Sequence, residues 1–470
     1  MNELKRRMFD PAGKRVTVMG LGRFGGGVGV SRFLAARGAE VLVTDREPEE
    51  RLARSVAQLR DLVDSGRVRL RLGGHTISDF TACDAVVANP AVPRPWEDPY
   101  LRAAHGAGVA ITTEIGLLIE RLPDRARTIG VTGSVGKSTT SAMIAHALAE
   151  VVGPGGVVLG GNIGGSLLER IDAEGPGALG PGTFVVLELS SFMLHWLGES
   201  GLDWSPRVAV VTNLAPNHLD WHGSVGHYAA SKQNLVRAQR AGDEAILGES
   251  VADWERFTAA RARVVRDGID GPMALPGAHN RLNAAMALAA AGAALGGDSR
   301  DALARAVRSF RGLAHRLEMV AEHARVRYYN DSKSTTPEAS ETAVRAIASA
   351  LDVGDPWGKI HLIAGGYDKG SDLSPIVMLG KRLAGVYTIG ATGPGLATAI
   401  GEPAAWSCVT LREAVAKASR RLRPGDVLLL SPGCASWDQY ENFEARGDEF
   451  VRLVRERIDA GTGVPARVGP

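Results

Sequence analysis

The stretch that most constrains this chain is the glycine-rich sequence GVTGSVGKSTT, which runs from Gly130 to Thr140. The short segment RTIG before it reads as a strand, and STTSAMIAHALAE after it has the composition of a helix. A strand, a glycine turn that ends in Gly-Lys-Ser and a helix form the arrangement that cradles a polyphosphate. The sequence therefore predicts a nucleotide phosphate site at this turn.

Each polar group of this turn has its own predicted role. Gly133 and Gly136 let backbone N–H groups approach the phosphates, Lys137 supplies a positive charge, and Ser138 offers a hydroxyl to Mg²⁺. The strict P-loop has four residues between its first glycine and the Gly-Lys pair, whereas Val131 stands at that first position here. The match is thus to the shorter form GxxGKS, and a glycine turn with a surface lysine stays open as the alternative.

Composition limits the class of protein. At 470 residues the chain is too long for one ordinary domain, so about two to four are expected. A formal net charge of +2, without a Lys/Arg block, argues against nucleic-acid binding. The three separated cysteines fit a reducing cytoplasm better than a disulfide framework. The N-terminal residues lack an apolar signal sequence and no apolar run is long enough to span a membrane, so a cytoplasmic protein is predicted.

The first segment of the chain alternates strands with helices. Strands are predicted at 15–20, 40–45 and 84–90, with a fourth in VAITTE, and one helix is predicted in PEERLARSVAQLRDLVDSG after the second strand. This is the pattern of a doubly wound parallel sheet. The turn after the first strand contains Gly20, Gly22 and Gly25, and Asp45 closes the second strand. This spacing favours a dinucleotide or another nucleotide diphosphate, although a tight turn without a ligand has the same pattern.

The second segment begins near Thr112 and contains the phosphate turn. Two further apolar strands end close to Glu188 and His218, and ligands of open parallel sheets bind at the carboxyl ends of the strands. A carboxylate and an imidazole facing a phosphate loop suit Mg²⁺. Glu188 ends an apolar run, where burial of a carboxylate without a partner would be costly, so a functional role is favoured. For His218, an ordinary solvated histidine in a loop stays open as the alternative. On composition alone, Lys232 reads as a solvated surface lysine.

The third segment resumes the alternation after Glu318. Strands are predicted at the start of VRYYNDSKSTTP, IHLIAGGYDKG, GVYTIGATG and DVLLLSPGCAS, and they run into turns with polar and charged side chains. These groups are therefore expected to collect at one edge of a third sheet. Arg316 and Lys333 are candidates for neutralising an anionic substrate, with charges that line a solvated loop as the alternative. Asn280 and Asn283 stand at the start of an Ala-rich helix, where amide side chains can cap the helix or touch a nucleotide base.

Taken together, these motifs resemble the Mur ligase family of ATP-dependent amide-bond-forming enzymes in peptidoglycan precursor synthesis. The resemblance extends over nearly the whole chain and is greatest to the members that add D-glutamate to UDP-N-acetylmuramoyl-L-alanine. The stretches that carry it are VMGLGRFG, NPAVP, GVTGSVGKSTT, GGNIGG, LELSSF, NHLDWHG, YAASK, GAHNRLNA, AHRLE, NDSKSTTPEA, LIAGGYDKG and SPGCASWDQYENFEARGDEF.

The resemblance implies an α/β fold of three domains: a Rossmann-like domain at 1–111 for the UDP substrate, a central P-loop ATP domain at 112–313, and a Rossmann-like amino-acid domain at 314–470. It implies Lys137, Glu188, His218 and Lys232 as catalytic residues, with Lys232 carbamylated, and Ser138, Glu188 and His218 as Mg²⁺ ligands. The ATP-binding residues would be Gly133, Gly136, Lys137, Ser138, Thr139, Asn280, Arg316 and Asp331. The UDP-substrate residues would be Gly22, Gly25, Asp45, Arg46, Asn162 and Ser190. The D-glutamate residues would be Lys333, Thr335, Lys369, Ser436 and Phe443.

One departure from the family pattern concerns the phosphate turn itself. The family loop usually reads TGTNGKS or TGTNGKT, whereas this chain has Ser134 and Val135. ATP binding is expected to persist, because the backbone forms the cradle. Other readings stay open: an NAD-dependent oxidoreductase built on Gly20, Gly22, Gly25 and Asp45, a non-catalytic nucleotide sensor, and a Mur ligase that takes another amino acid. A monomer without nucleic-acid or membrane partners is expected.

Overall fold

The computed structural model describes residues 8–22, 26–171, 173, 175, 178–296 and 299–462. The chain divides into two compact units, which are described separately. The first unit comprises Met1–Asp267 and Leu282–Val307, and the second comprises Gly268–Arg281 and Arg308–Pro470. Within the described residues, three β-sheets with flanking helices form the fold, two in the first unit and one in the second.

The first sheet has the order β3-β2-β1-β4-β5, and its neighbouring strands are parallel. Its central strands are apolar and buried because helices cover both faces of such a sheet. The elements are β1 (Arg15–Met19), α1 (Val28–Ala36), β2 (Glu40–Asp45), α2 (Glu49–Ala57), α3 (Arg60–Asp64), β3 (Val68–Leu72), α4 (Ile77–Thr81), β4 (Ala85–Ala88), α5 (Pro99–Gly106), β5 (Ala110–Thr112) and α6 (Glu114–Ile119).

Two details of this region differ from the sequence prediction. The stretch expected to be one helix after β2 is broken into α2 and α3, and the strand β3 follows them. β3 reads VRLRL and lies at the edge of the sheet, where its arginines are exposed or partly exposed. The alternation of apolar and charged residues in β3 is typical of a strand with one solvated side. Five residues are too few to distinguish this pattern from that of a helix end.

The second sheet has the order β11-β10-β9-β6-β8-β7 and is parallel throughout its described pairs. It shares one hydrophobic core with the first sheet, in which Val18 of β1 and Val185 of β8 are members. The elements are β6 (Thr128–Thr132), α7 (Lys137–Val152), β7 (Val157–Gly161), β8 (Phe184–Glu188), α8 (Ser191–Glu199), β9 (Val208–Val211), α9 (Leu219–His222), α10 (Val225–Arg237), β10 (Glu244–Gly248), β11 (Arg261–Val265), α11 (Ala278–Leu295) and α12 (Arg300–Ser309).

The sheet of the second unit has the order β12-β13-β17-β14-β15-β16 and is parallel except at its edge, where β12 runs antiparallel to β13. The strands predicted here are confirmed, whereas the two edge strands β12 and β16 were not foreseen. The elements are β12 (Glu318–His323), β13 (Val326–Asn330), α13 (Pro337–Ser349), β14 (Ile360–Gly365), α14 (Ser374–Gly380), β15 (Gly385–Ile389), α15 (Gly393–Ile400), β16 (Ala405–Val409), α16 (Leu411–Ser419), β17 (Val427–Leu430) and α17 (Phe443–Thr462).

The predicted three-sheet α/β architecture is therefore confirmed. In the part of the chain that the structure describes, no helix is long and apolar enough to cross a membrane.

The central strand β17 gives a direct test of the second unit's core. Leu429 is fully buried and pairs in register with Tyr329 on one side and Leu362 on the other. Leu429→Ala should lower the free energy of unfolding by about 2–5 kcal/mol, because the truncated side chain leaves a cavity in the buried core beside β17. The measurement is urea unfolding followed by circular dichroism. Met378→Ala is the control, because Met378 is 67% exposed and its truncation should change stability by less than about 0.5 kcal/mol.

Candidate active site

The phosphate turn joins β6 to α7 and depends on two glycines. Gly133 has a φ of +148°, and a Cβ there would lie 1.9 Å from the Thr212 hydroxyl oxygen. Gly136 has a φ of +83° immediately before α7, and a Cβ there would lie 2.7 Å from Oδ1 of Asn283. Only glycine fits these conformations and close approaches. The turn therefore brings its backbone N–H groups to the positive end of a sixteen-residue helix.

Ser134 and Val135, the residues that depart from the family pattern, are held by the loop after β9. The Ser134 hydroxyl accepts a hydrogen bond from the Ala215 N–H at 2.8 Å and lies 3.0 Å from the Tyr228 hydroxyl. The Asn213 side chain pairs with both the N–H and the C=O of Val135, at 3.0 Å each. The Val135 side chain itself is 66% exposed. The shape of the turn thus depends on backbone pairing and on Ser134, and not on the side chain of residue 135.

Lys137 is the first residue of α7 and folds back over the turn. Its Nζ donates to the carbonyl oxygens of Gly133 and Ser134, at 3.0 and 3.1 Å. The ammonium group is therefore already positioned above the turn in which phosphates would lie. Ser138 is buried at the same helix end, and Thr139 is partly buried beside it.

Glu188 is the last residue of β8, next to β6 in the sheet, and is 2% exposed. Its Oε1 accepts a hydrogen bond from Asn162 Nδ2 at 2.9 Å. Its Oε2 is buried and has no hydrogen-bond partner among the described residues. An uncompensated carboxylate oxygen is costly in the interior, so this atom fits a cation as its partner. The predicted position of Glu188 at the carboxyl end of its strand is confirmed.

Lys232 lies on α10 and is 1% exposed, so the surface position expected from composition is wrong. Its Nζ donates to the Gly133 carbonyl at 2.8 Å and to the Thr132 hydroxyl at 3.2 Å, and lies 4.8 Å from the centre of the Tyr228 ring. Burial and the neighbouring Lys137 lower the pKa of Lys232 to about 6, although Glu188 opposes the shift. The side chain is therefore a neutral amine near pH 7.5. Composition failed here because it does not reveal which face of α10 packs under the turn.

His218 follows β9, the strand on the other side of β6, and its side chain is exposed. It has a φ of +52° immediately before α9, and its ring lies 4.9 Å from the Phe192 ring. Partial burial, with Lys137 and Lys232 nearby, lowers the pKa of His218, so its imidazole is neutral and able to ligate a metal. Lys137, Glu188 and His218 thus follow three neighbouring strands, β6, β8 and β9, as predicted.

The residues predicted for the UDP substrate lie in the first unit, but they are not all together. Asp45 accepts a hydrogen bond from the Gly22 N–H at 3.0 Å, which fixes the turn after β1. Arg46 pairs with Asp98 at 2.9 Å. Ser190 caps α8 by accepting the Met193 N–H at 3.2 Å. Gly25 lies outside the described residues.

A cavity of about 590 Å³ lies at the carboxyl ends of β1 and β4. Asn162 lines it, together with Gly20, Asn89 and Glu114, whereas Asp45, Arg46 and Ser190 are not among its lining residues. Glu114 was missed by the sequence analysis. Burial raises the pKa of Glu114, and a hydrogen bond from the Ser166 hydroxyl opposes that rise. The sequence shows that Glu114 is a carboxylate, but it does not show that Glu114 lines the same cavity as the loop at 161–165.

In the second unit, Asp331 follows β13 and is almost completely buried. It accepts hydrogen bonds from the Leu317 N–H at 3.0 Å, from the Ser431 hydroxyl at 2.8 Å and from the Ser334 hydroxyl. Burial raises the pKa of Asp331 to about 6, although these hydrogen bonds and Arg316 oppose the shift. Asn280 is also buried, and its Nδ2 donates to the Pro276 carbonyl at 2.6 Å.

The five residues predicted for D-glutamate follow three adjacent strands, β13, β17 and β14, apart from Phe443 at the start of α17. Lys333 Nζ lies 5.0 Å from the centre of the Phe443 ring, and Lys369 Nζ lies 4.7 Å from the Trp437 ring. Ser436 is buried and Thr335 is partly buried. The predicted positions of these residues after neighbouring strands are confirmed. Their roles in binding D-glutamate stay predictions.

Arg446 on α17 is a second residue that the sequence analysis missed. It is 1% exposed, and its guanidinium donates to the carbonyl oxygens of Ser332, Cys434 and Ala435 at 2.8–3.2 Å, and to the Ser332 hydroxyl at 3.0 Å. It therefore joins the turn after β13 to the turn after β17. A single arginine in an amphipathic helix gives no sequence signal that it points inward.

The buried Lys232 predicts how stability depends on pH. Between pH 6 and 10.5 the unfolded chain binds a proton at this residue that the folded chain does not, so folded stability should rise with pH in that window. From pH 7 to 9 in CO₂-free buffer, the wild type should gain about 2.5 kcal/mol relative to Lys232→Met, measured by urea unfolding. Exposed Lys381→Met is the control and should keep the wild-type pH slope. Equal slopes for the wild type and Lys232→Met would contradict the neutral amine.

Comparisons with known proteins bear on the whole chain. The Mur ligase MurD-like N-terminal domain model matches residues 14–113, the Mur ligase middle domain model matches 131–272, and the Mur ligase glutamate ligase domain model matches 315–434. A relative from Pelotomaculum thermopropionicum, named UDP-N-acetylmuramoylalanine--D-glutamate ligase, is 36% identical over 94% of this chain and 97% of its own. A relative of the same name from a Roseiflexus species is 37% identical over 94% and 98%.

Solved structures show the same fold. MurF ligase from Thermotoga maritima in complex with ADP has a TM-score of 0.51 at 18% identity, and the match covers 97% of this chain and 100% of that one. MurF from Acinetobacter baumannii has a TM-score of 0.52 at 18% identity over 73% and 82%. Since the curated relatives exceed one third identity over nearly the full length, the chain belongs to the Mur ligase family, whose members catalyse ATP-dependent amide ligation in peptidoglycan precursor synthesis.

Proposed function

We propose that this chain joins D-glutamate to UDP-N-acetylmuramoyl-L-alanine in the cytoplasm, with ATP as the energy source and an acyl phosphate as the intermediate. One observation carries the proposal: Glu188 lies on the strand next to the phosphate turn, and its buried Oε2 lacks a hydrogen-bond partner among the described residues. The names of the full-length relatives support D-glutamate as the amino acid.

Mg²⁺ fits the polar groups around the turn. Ser138 would supply a hydroxyl, Glu188 its unpaired carboxylate oxygen, and His218 a neutral imidazole. Bound there, Mg²⁺ would neutralise charge on the phosphates during transfer. Asn162 contributes by fixing Glu188 through Oε1, which leaves Oε2 directed elsewhere.

The proposed reaction has two steps. The terminal carboxylate of the alanyl substrate attacks the γ-phosphorus of ATP, the bond to the bridging oxygen breaks, and ADP leaves. The amine of D-glutamate then attacks the acyl phosphate carbonyl, and the tetrahedral intermediate loses phosphate and a proton to form the amide. Lys137 holds its ammonium above the turn, where negative charge moves during the first step.

Lys232 is proposed to be carbamylated. A neutral amine adds to CO₂ and releases a proton, which gives a carbamate anion in place of the ammonium. The lowered pKa of Lys232, about 6, supplies the neutral amine that this reaction needs. The resulting anion would lie beside Thr132 and the turn, where it would support the cation that Glu188 binds.

The second unit is proposed to provide the remaining contacts. Asn280, Arg316 and Asp331 would contact the nucleotide, and Asp331 would keep a carboxylate at the end of β13 because three hydrogen bonds stabilise it. The amino-acid site would take D-glutamate carboxylates on its two cations, each of which rests against an aromatic ring. Its residues are Lys333, Thr335, Lys369, Ser436 and Phe443.

The remaining expectations stand as part of the same proposal. The domains would divide at 111/112 and 313/314. In the first domain, Gly22, Gly25, Asp45, Arg46, Asn162 and Ser190 would bind the UDP substrate. The enzyme would act as a monomer without a nucleic-acid or membrane partner.

The first experiment is phosphate release with ATP, Mg²⁺ and UDP-N-acetylmuramoyl-L-alanine across a panel of D- and L-amino acids. We expect release that requires D-glutamate, and a loss of at least about 1,000-fold in Lys137→Ala, because charge stabilisation at the phosphates is lost. Release with another amino acid would retain the mechanism and overturn the specificity. ATP binding without release under every mixture would favour a nucleotide sensor.

The phosphate turn gives a second prediction for the same assay. Val135→Asn should leave kcat/KM for ATP within about threefold, since Val135 is exposed and its backbone is held by Asn213. Ser134→Ala should lower it by about 10-fold or more, because the Ala215 N–H loses its acceptor and the turn loosens. A larger loss in Val135→Asn than in Ser134→Ala would show that the side chain of residue 135 matters to the reaction.

A further inference from the structure

A second cavity, of about 1080 Å³, lies in the first unit between α5, β5 and α8. Its size is close to the upper end of the range for small-molecule sites, roughly 300–1,000 Å³. None of the residues assigned above to ATP, Mg²⁺, the UDP substrate or D-glutamate lines it. We name it the tryptophan–histidine cavity; its lining includes Trp96, Arg102, His105, His195, Trp196, His222 and His227.

The walls of this cavity are aromatic. The Trp96 ring lies 4.6 Å from the His227 ring and 5.4 Å from the His195 ring, and the two imidazoles are 5.1 Å apart. Trp96 is nevertheless 42% exposed. Burial lowers the pKa of His195 to about 4, so its imidazole is uncharged at neutral pH. The three rings meet edge to face, at interplanar angles of 61–74°. They form an aromatic wall in which the exposed Trp96 offers a ring for an aromatic ligand to stack on.

The polar groups that line the cavity include both hydrogen-bond donors and acceptors. Trp196 Nε1 is buried and has no partner among the described residues, and the same holds for Nε1 of the adjoining Trp221. Arg102 and His105 are exposed on α5, and Glu199 is an exposed carboxylate on α8 that also lines the cavity. The guanidinium of Arg102 is the cation that an anionic ligand would meet in this cavity.

The cavity is connected to the turn that carries His218. His222 ends α9, which begins directly after His218. Its Nδ1 lies 3.0 Å from Nδ1 of His227, and its Nε2 lies 2.9 Å from the Ser191 hydroxyl. A ligand that contacts His227 therefore acts on His222, which also joins α9 to the start of α8 through Ser191.

We propose that the tryptophan–histidine cavity is a second ligand site for a planar aromatic carboxylate, which stacks on Trp96 and directs its anion towards Arg102, and that its occupant alters the position of His218. The binding part is independent of the proposed function, whereas the effect on His218 rests on it. The two parts can therefore fail separately.

Binding is tested by calorimetry on the purified full-length chain with 1-naphthoate as the probe. We expect one site per chain, with binding at least 10-fold weaker in Trp96→Ala and in Ala110→Trp, which fills the cavity from the exposed end of β5. Trp437→Ala is the matched control, because it removes another exposed indole in the second unit. An unchanged affinity in both cavity variants, or no binding to the wild type, would overturn the site.

Two related compounds test the chemical class. Cyclohexanecarboxylate has the anion without the flat ring, and 1-naphthalenemethanol has the ring without the anion. Each should bind at least 10-fold more weakly than 1-naphthoate. Equal binding of the first would overturn the stacking, and equal binding of the second would overturn the role of the anion.

The effect on His218 is tested by Mg²⁺ titration of phosphate release with and without saturating 1-naphthoate. The Mg²⁺ concentration for half-maximal rate should change at least threefold in the wild type and should not change in Trp96→Ala. A wild-type response equal to that of Trp96→Ala, with binding confirmed, would overturn the coupling while leaving the site.

Discussion

The structure of the central sheet depends on the burial of two ionisable groups of opposite kind beneath one glycine turn. Glu188 and Lys232 are 2% and 1% exposed, at positions where solvent cannot compensate a charge. Lys232 meets this constraint by a lowered pKa and by donating to the turn itself. Glu188 meets it only in part, through Asn162. The incomplete compensation is what makes the edge of this sheet suited to a cation and a polyphosphate.

The second unit uses a related arrangement around two buried groups. Arg446 has its guanidinium surrounded by carbonyl oxygens, and burial lowers its pKa to about 10. Asp331 is surrounded by hydroxyl and N–H donors. Each group joins turns that follow different strands, so the loops at this edge are fixed to one another. The exposed Lys333 and Lys369 are then carried on loops whose bases are fixed.

Much of the fold could be predicted because parallel strands are apolar and are followed by glycine-rich turns. The strand before the phosphate turn has both parts of this signature, whereas the strands that lead to Glu188 and His218 are apolar and run into polar turns without glycine. The structure has these three strands in neighbouring positions. The short edge strand β3 lacks the signature, since its alternating arginines leave too little apolar periodicity. Roles such as those of Glu114 and Arg446 could not be predicted, because a single charged residue in a helix does not show which way it points.

The sequence by itself determined the apolar strands away from the sheet edges, the α/β class and the polar residues that reach the carboxyl ends of the sheets. It did so because hydrophobic period and glycine placement are local properties of the chain. Only the tertiary structure decided the ionisation of Lys232, the unpaired oxygen of Glu188 and the aromatic cavity around Trp96. These depend on desolvation and on contacts between residues far apart in the chain, which no local pattern records.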